Sequence, residues 1–314
     1  MNRRSFISIG GASLLASGIN LAQANQEESR SSAPDHLSDF DFVFFTDTHI
    51  QPELDAAKRC AMCFDKLRTS GADFAIQGGD HVFDGTKTKV ERAEALWDLY
   101  AMTEKTLQMP VHHVIGNHDL VGIYEQSGLS LEDPREGKRA YRQRVGDTYY
   151  SFDHKGYHFI VLDSIQPTAD RQWEAIIDQE QIAWLAADLA KLHPGTPIVV
   201  AVHCPLTTGA MAYSAHDMSK PPKYQQAFVS NAYQVIALLE KHNVLVVLQG
   251  HIHINETVTF KGIPFVTCGA VCGDWWRGSH WGTPEGYTTV SLRDGKASWR
   301  YETYGFKTIS PRND

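Results

Sequence analysis

Five stretches of this chain place imidazoles, carboxylates or an amide directly after an apolar run. They are Asp47-Thr48-His49, Gly79-Asp80, Gly116-Asn117-His118-Asp119, His203 and Gly250-His251-Ile252-His253. Each alone is ordinary turn chemistry, because Asn, Asp and Gly are residues that close strands. Their recurrence at successive strand ends is the informative feature. Carboxylate oxygens mixed with imidazoles suit zinc, iron or manganese better than calcium or magnesium alone. Asp47, His49, Asp80, Asn117, His203, His251 and His253 are too many ligands for one tetrahedral ion, and suit two ions sharing a bridging carboxylate. Asp47 and His49, like His251 and His253, are spaced i and i+2, which sets both side chains on one side of an extended backbone.

The elements that must position these groups alternate. Phe42 to Thr46 is an apolar run too short for a helix and fits a strand buried on both faces. Ala56 to Ser70 has helical spacing, Phe74 to Gln77 reads as a strand, Val90 to Leu107 as a helix, and Val111 to Ile115 as a third strand. This β-α-β-α-β order implies parallel neighbours, whose ligands gather at the carboxyl ends of the strands. Leu120 to Val145, rich in Gly, charge and turn residues, reads as a loop near the site. Thr148–Phe152 and Tyr157–Leu162 form a hairpin around Asp153-His154-Lys155-Gly156. Gln179–Leu192 and Ala232–Lys241 read as helices, Pro197–Val202 and Val244–Leu248 as strands, and Thr207–Phe228 as irregular. From about residue 257 the chain looks all-β. The expected fold class is α/β, a four-layer α-β-β-α sandwich with two mixed β-sheets, in one domain over residues 39–306 with a tail at 307–314.

In that order, Asp47-x-His49, Gly79-Asp80, Gly116-Asn117-His118-Asp119, His203 and Gly250-His251-x-His253 resemble the calcineurin-like metallophosphoesterase motifs, over about Phe42 to His253. The resemblance implies that Asp47, His49 and His253 bind one metal ion, that Asn117, His203 and His251 bind a second, and that Asp80 bridges them. The ions would be iron, manganese or zinc. His118 would be the acid that protonates the leaving alkoxide or would stabilise charge on the phosphoryl group, with Asp119 or Asp84 orienting it. Such centres activate a water and neutralise the charge that moves between phosphoryl oxygens. Purple acid phosphatases of this superfamily place a Tyr three positions after the bridging Asp, where this chain has Phe83, so no tyrosinate ligand is expected. The basic phosphate-gripping residues of the protein phosphatases are not evident either. The expected substrate is a small phosphodiester of cyclic nucleotide or glycerophosphodiester type. The alternatives are a phosphomonoesterase or nucleotidase of the same mechanism, and a non-catalytic binding protein of the same fold.

Past His253 the match loosens. Gly273-Asp274-Trp275-Trp276-Arg277-Gly278-Ser279-His280 is dense in aromatics. Trp275, Arg277 and His280 are candidate substrate contacts, the ring stacking on an organic group and the guanidinium meeting phosphate. The competing reading has these tryptophans packing the second sheet. His112, His113, His158 and His193 read as structural, whereas His81 and His216 are candidates for the mouth of the site. The five cysteines lack zinc-clamp spacing and read as buried small residues or one incidental disulfide.

Charge and address complete the reading. The net charge is −8, and removal of Arg3 and Arg4 with a leader takes it to −10, with no Lys/Arg block. A nucleic-acid polymer is disfavoured as a partner. Arg3-Arg4-Ser5-Phe6-Ile7, the mildly apolar run to Leu21 and Ala22-Gln23-Ala24 resemble a bacterial twin-arginine signal over residues 1–24. The expectation is a periplasmic or secreted protein that meets the twin-arginine export machinery, after which residues 25–38 form a disordered leader. No later stretch reaches the roughly 18 apolar residues of a membrane helix, so no stable membrane insertion is expected.

Overall fold

The computed structural model describes residues 37–210 and 224–312; the signal, nearly all of the leader, and His216 lie outside these residues. The first sheet is built on β1 (Phe40–Phe45), β2 (Ala75–Gln77) and β3 (Val111–His113), three parallel strands joined through α1 (Ala56–Arg68) and α2 (Val90–Glu104). The side chains of β1 alternate between two cores. Phe42 and Phe44 face the second sheet, while Val43 and Phe45 pack under the helices with Phe64 and Leu67 of α1. A strand buried on both faces must be apolar throughout, which is why its sequence shows no period of two.

The second sheet carries β4 (Tyr150–His154), β5 (Tyr157–Leu162), β8 (Ile198–Val202), β9 (Val244–Gln249), β10 (Glu256–Phe260) and β11 (Ile263–Thr267), in the order β10-β11-β9-β8-β5-β4. Strands β5, β8, β9 and β11 are parallel, and both edges are antiparallel. Leu185 and Leu189 of α4 (Gln179–Leu189) and Val235 and Leu239 of α6 (Ala232–Leu239) share the outer core with Ile160, Val200 and Val247 of this sheet. The last strands, β12 (Gly286–Arg293) and β13 (Lys296–Thr303), return to the first sheet and complete the order β13-β12-β1-β2-β3. The C-terminal all-β stretch therefore divides between both sheets. Phe159, Val199, Val246 and Val266 meet Phe42, Phe44, Ile76 and Val290 in the inter-sheet core. The four expected layers are present.

Three short elements differ from the sequence reading. The stretch read as a loop contains α3 (Lys138–Arg144), a helix of about two turns that buries Ala140 and Tyr141. Between β5 and α4 lies a ribbon of β6 (Ile165–Pro167) and β7 (Trp173–Ala175), strands too short to display a period. The irregular segment holds a helical turn, α5 (Tyr224–Ala227). All five cysteines are free and buried, with no disulfide among them. No helix among the described residues is long and apolar enough to cross a membrane.

Candidate metal centre

The five stretches converge. Asp47 and His49 follow β1, Asp80 follows β2, Asn117 follows β3, His203 follows β8, and His251 and His253 follow β9. In both sheets these are the carboxyl ends of parallel strands. The local backbone is not the extended one that the i, i+2 spacing suggested. Asp47, His49, Asp80, His251 and His253 all have positive φ, between 38° and 74°. Left-handed backbone at a non-glycine costs of order 1–3 kcal/mol where it is strained, and persists where the surroundings over-determine it. Here the loops fold back so that side chains from different strands reach one point. Two glycines permit the approach. A methyl group on Gly116 would lie 2.1 Å from the Asp80 amide nitrogen, and one on Gly79 (φ 103°) 2.3 Å from the His203 ring.

The donor atoms fall into two groups with Asp80 between them. Asp47 Oδ1 lies 3.3 Å from His253 Nε2 and 3.7 Å from His49 Nε2, and those two ring nitrogens are 3.1 Å apart. On the other side His203 Nε2 lies 3.2 Å from Asn117 Oδ1. Asp80 Oδ2 is 3.5 Å from His49 Nε2 and 3.3 Å from His203 Nε2. His251 groups with Asp80 and His203. Ligands about 2.0–2.2 Å from a shared ion are separated by roughly 3–3.5 Å at tetrahedral angles, the spacing seen here.

The hydrogen bonds around the cluster leave the inward atoms for a cation. Carbonyl oxygens of Gly78 and Gly273 accept from Nδ1 of His203 and His253, so the lone pair of each ring is at Nε2, facing other acceptors. Asp47 Oδ2 accepts from the Thr46 hydroxyl and the His251 amide, while Asp47 Oδ1 is buried without a hydrogen-bond donor. His251 Nδ1 is likewise buried and unbonded, its Nε2 being held by the Gln226 carbonyl. Acceptors that face one another in a buried site need a proton or a metal ion between them. The donor set fits the latter.

The titration behaviour has the same origin. Burial by itself raises both carboxyls, but the His253 ring beside Asp47 and the His203 ring beside Asp80 overturn this and hold both well below the ordinary carboxylate range. Burial opposes charge on His203, yet Asp80 raises it to about 9. Burial, reinforced by the neighbouring His203, pushes His251 down to about 4.

His118 stands at the rim, part-exposed, its amide donating to Asp80 Oδ1. The ring is edge-on to His49 at 4.8 Å and meets Trp275 at 5.1 Å. Asp84 Oδ1 lies 3.9 Å from His118 Nδ1. Asp119 faces elsewhere: its oxygens accept from the amides of Asp80, His81 and Gly116 and pair with the His81 ring at 2.7 Å. That carboxylate ties the loops after β2 and β3 together. His81, read as a candidate for the mouth, is instead fully buried, with Nε2 3.0 Å from His113 Nδ1.

The tryptophan pair divides its labour. Trp276 is buried and donates Nε1–H to the His49 carbonyl, while the Trp275 ring lies 4.0 Å from that of His49. Arg277 donates to the Ser310 hydroxyl and lines a cleft of about 720 Å³ with Phe83, Asp84, Lys87 and His118. His280 lines a separate cleft of about 220 Å³ with Ala210, Ile252 and Trp281. Trp275 is a wall of both. Cys272, unassigned from the sequence, lies 3.9 Å from His253 Nδ1.

A family model described as calcineurin-like phosphoesterase matches residues 40–255. A probable cyclic nucleotide phosphodiesterase of Rhodococcus erythropolis is 27% identical over 242 residues, 73% of this chain and 70% of that protein. Purple acid phosphatase 23 of Arabidopsis thaliana is 29% identical over 177 residues, 53% of this chain; the chain spans only 33% of that protein. A dimetal phosphatase from Danio rerio shares the fold at a TM-score of 0.59 and 16% identity, covering 86% of this chain and 97% of the other.

Proposed function

This chain belongs to the calcineurin-like phosphoesterase family, a hydrolase of phosphoric esters, and on that footing we propose that it cleaves a small phosphodiester at a dinuclear centre. In this reading Asp47, His49 and His253 hold one transition-metal ion, Asn117, His203 and His251 the other, and Asp80 lies against both. When bound, such a pair supplies Lewis acidity toward the phosphoryl oxygens and lowers the pKa of a water. Thr46, Gly78 and Gly273 orient the ligands from behind, fixing which atom of each points inward. His118 holds the proton that the departing oxygen takes, with the Asp84 carboxylate as its neighbour.

The observation that favours a diester is the pair of clefts on either side of Trp275. A diester carries two organic substituents, one leaving and one retained, and each needs its own exit from the phosphorus. The cleft that contains His118 suits the leaving group, and the smaller one beside His251 and His253 the retained group. The probable cyclic nucleotide phosphodiesterase among the relatives supports a phosphodiester substrate, without bearing on the two separate exits. Residues 1–24 belong in the same proposal as a twin-arginine signal, with residues 39–306 as the exported catalytic domain.

The test uses the mature protein reconstituted with manganese, iron or zinc, offered bis-p-nitrophenyl phosphate beside p-nitrophenyl phosphate. A higher kcat/KM on the bis ester is expected. Preference for the mono ester would establish a phosphomonoesterase instead, and no turnover by the metal-loaded protein would leave a binding protein.

A further inference from the structure

We infer that the alcohol released by this enzyme carries its own anionic group, a phosphate or carboxylate, which Lys87 and Arg277 receive in the larger cleft. The inference rests on the phosphodiesterase reading of the same centre and narrows it to acyclic diesters with an acidic leaving group. None of the seven candidate metal ligands contributes to the wall of that cleft, whereas His118, the proton donor, and its neighbour Asp84 do. Whatever fills it therefore lies beyond the scissile bond, on the leaving-group side. Trp275 and Phe83, whose rings meet edge to face at 5.5 Å, make its floor apolar and suit a flat or hydrocarbon stem.

Charge decides the rest. Two carboxylates line the cleft, of which Glu53 is paired with a cation and Asp84 holds neutral donors. Glu53 pairs with Arg92 at 2.6 Å, and Asp84 Oδ1 takes the amide and hydroxyl of Thr86. One cation is also spent, because Arg312 pairs with Asp274 at 3.0 Å. Arg277 and Lys87 differ. Among the described residues neither has a carboxylate within ion-pair distance: Arg277 donates to the neutral Ser310 hydroxyl, and Lys87 lies over the Tyr124 ring at 5.2 Å. The backbone of Arg277 is anchored by the Arg312 amide, which donates to its carbonyl. Two cations with no anion of their own, above an apolar floor, form a receptor for an amphiphilic anion.

Two leaving groups that differ by one charge test this. Methyl p-nitrophenyl phosphate and its analogue with a carboxylate on the nitrophenyl ring both release the nitrophenolate, since methoxide leaves far less readily. The metal-loaded wild type is expected to favour the carboxylated ester in kcat/KM about tenfold, chiefly through KM, the order for one part-exposed charge-assisted contact. Arg277→Ala and, independently, Lys87→Ala should each bring that ratio toward one, with Arg277→Lys recovering part of it. Arg300→Ala, a change of the same charge on the far face of β13, should leave the ratio alone. Calorimetry on the metal-free protein supplies a reading that does not pass through turnover: the carboxylated nitrophenol should bind and p-nitrophenol should not, and both substitutions should weaken it. Equal kcat/KM for the two esters in the wild type would overturn the inference while leaving the diesterase intact. Failure to cleave either ester, with binding of the carboxylated phenol still dependent on Arg277, would instead remove the diesterase reading and keep the anion site.

Discussion

At the scale of residues, the histidines divide by what their inward nitrogen faces. His49, His203, His251 and His253 aim at carboxylate or amide oxygens or at each other, whereas His118 stands at the rim beside Asp84. His118→Ala should therefore retain its metal and lose about 10²–10⁴-fold in kcat, the usual contribution of one positioned acid. Metal analysis and steady-state kinetics on the same preparation check this, and lost metal would move His118 among the ligands. The seven donors were legible in the sequence because each terminates an apolar run, which fixes where it lies even when its loop is unknown. The choice between Asp84 and Asp119 was not. Both neighbour the site in sequence, and only the fold shows that three backbone amides and the His81 ring occupy Asp119. The left-handed backbone at five ligands was also hidden, because it is imposed by convergence and not by local preference.

At the scale of elements, two pieces hold the site from outside it. The C-terminal segment after β13 packs Phe306 on Trp276 at 5.7 Å, and Thr308 donates to the Trp276 carbonyl. Phe306→Ala should cost about 3 kcal/mol, near the lower end for a buried aromatic, read by urea denaturation. A loss under about 0.5 kcal/mol, the range of an ordinary surface change, would show that the segment does not brace the tryptophan loop. The edges of the two sheets are pinned at β3 and β4. There the Tyr150 hydroxyl bridges the amide and carbonyl of His113, and His112 stacks on Phe152 at 3.6 Å. Burial, together with the nearby His154, pushes His112 down to about 4. An unfolded histidine titrates near 6.5, so as pH falls the unfolded chain binds this proton first. The stability tied to a neutral His112 is thus complete above about pH 6.5 and lost toward pH 4. His112→Phe should flatten that part of the stability profile, compared by denaturant melts at about pH 7.5 and about pH 5; an unchanged slope would assign it to other groups. Element order was readable because each core strand is a continuous apolar run between helical patterns. The ribbon of β6 and β7 was not, since strands of three residues carry no period.

At the scale of the whole molecule, ion binding at the proposed centre is linked to folding. Asp47 and Asp80 are buried carboxylates at the ends of adjacent strands of the first sheet, and they meet His203, His251 and His253 of the second sheet only when the two sheets stack through Phe42, Phe44, Phe159 and Val246. An ion that binds only the folded chain adds about 2.7 kcal/mol at a hundredfold excess over its Kd. Chelation should accordingly lower the Tm by several degrees, and restoring the metal should recover it; a Tm indifferent to chelator would separate the fold from the centre. The clefts themselves were invisible in the sequence, because their walls come from segments near Leu54, Phe83, Trp275 and Arg312, which share no local pattern. The central claim is that Asp80 stands between two ions, and metal analysis of purified wild type beside Asp80→Ala tests it most directly. The account predicts two transition-metal ions per wild-type chain and at most one in the variant, with the variant still folded by circular dichroism. A folded Asp80→Ala protein that retains both ions would contradict it.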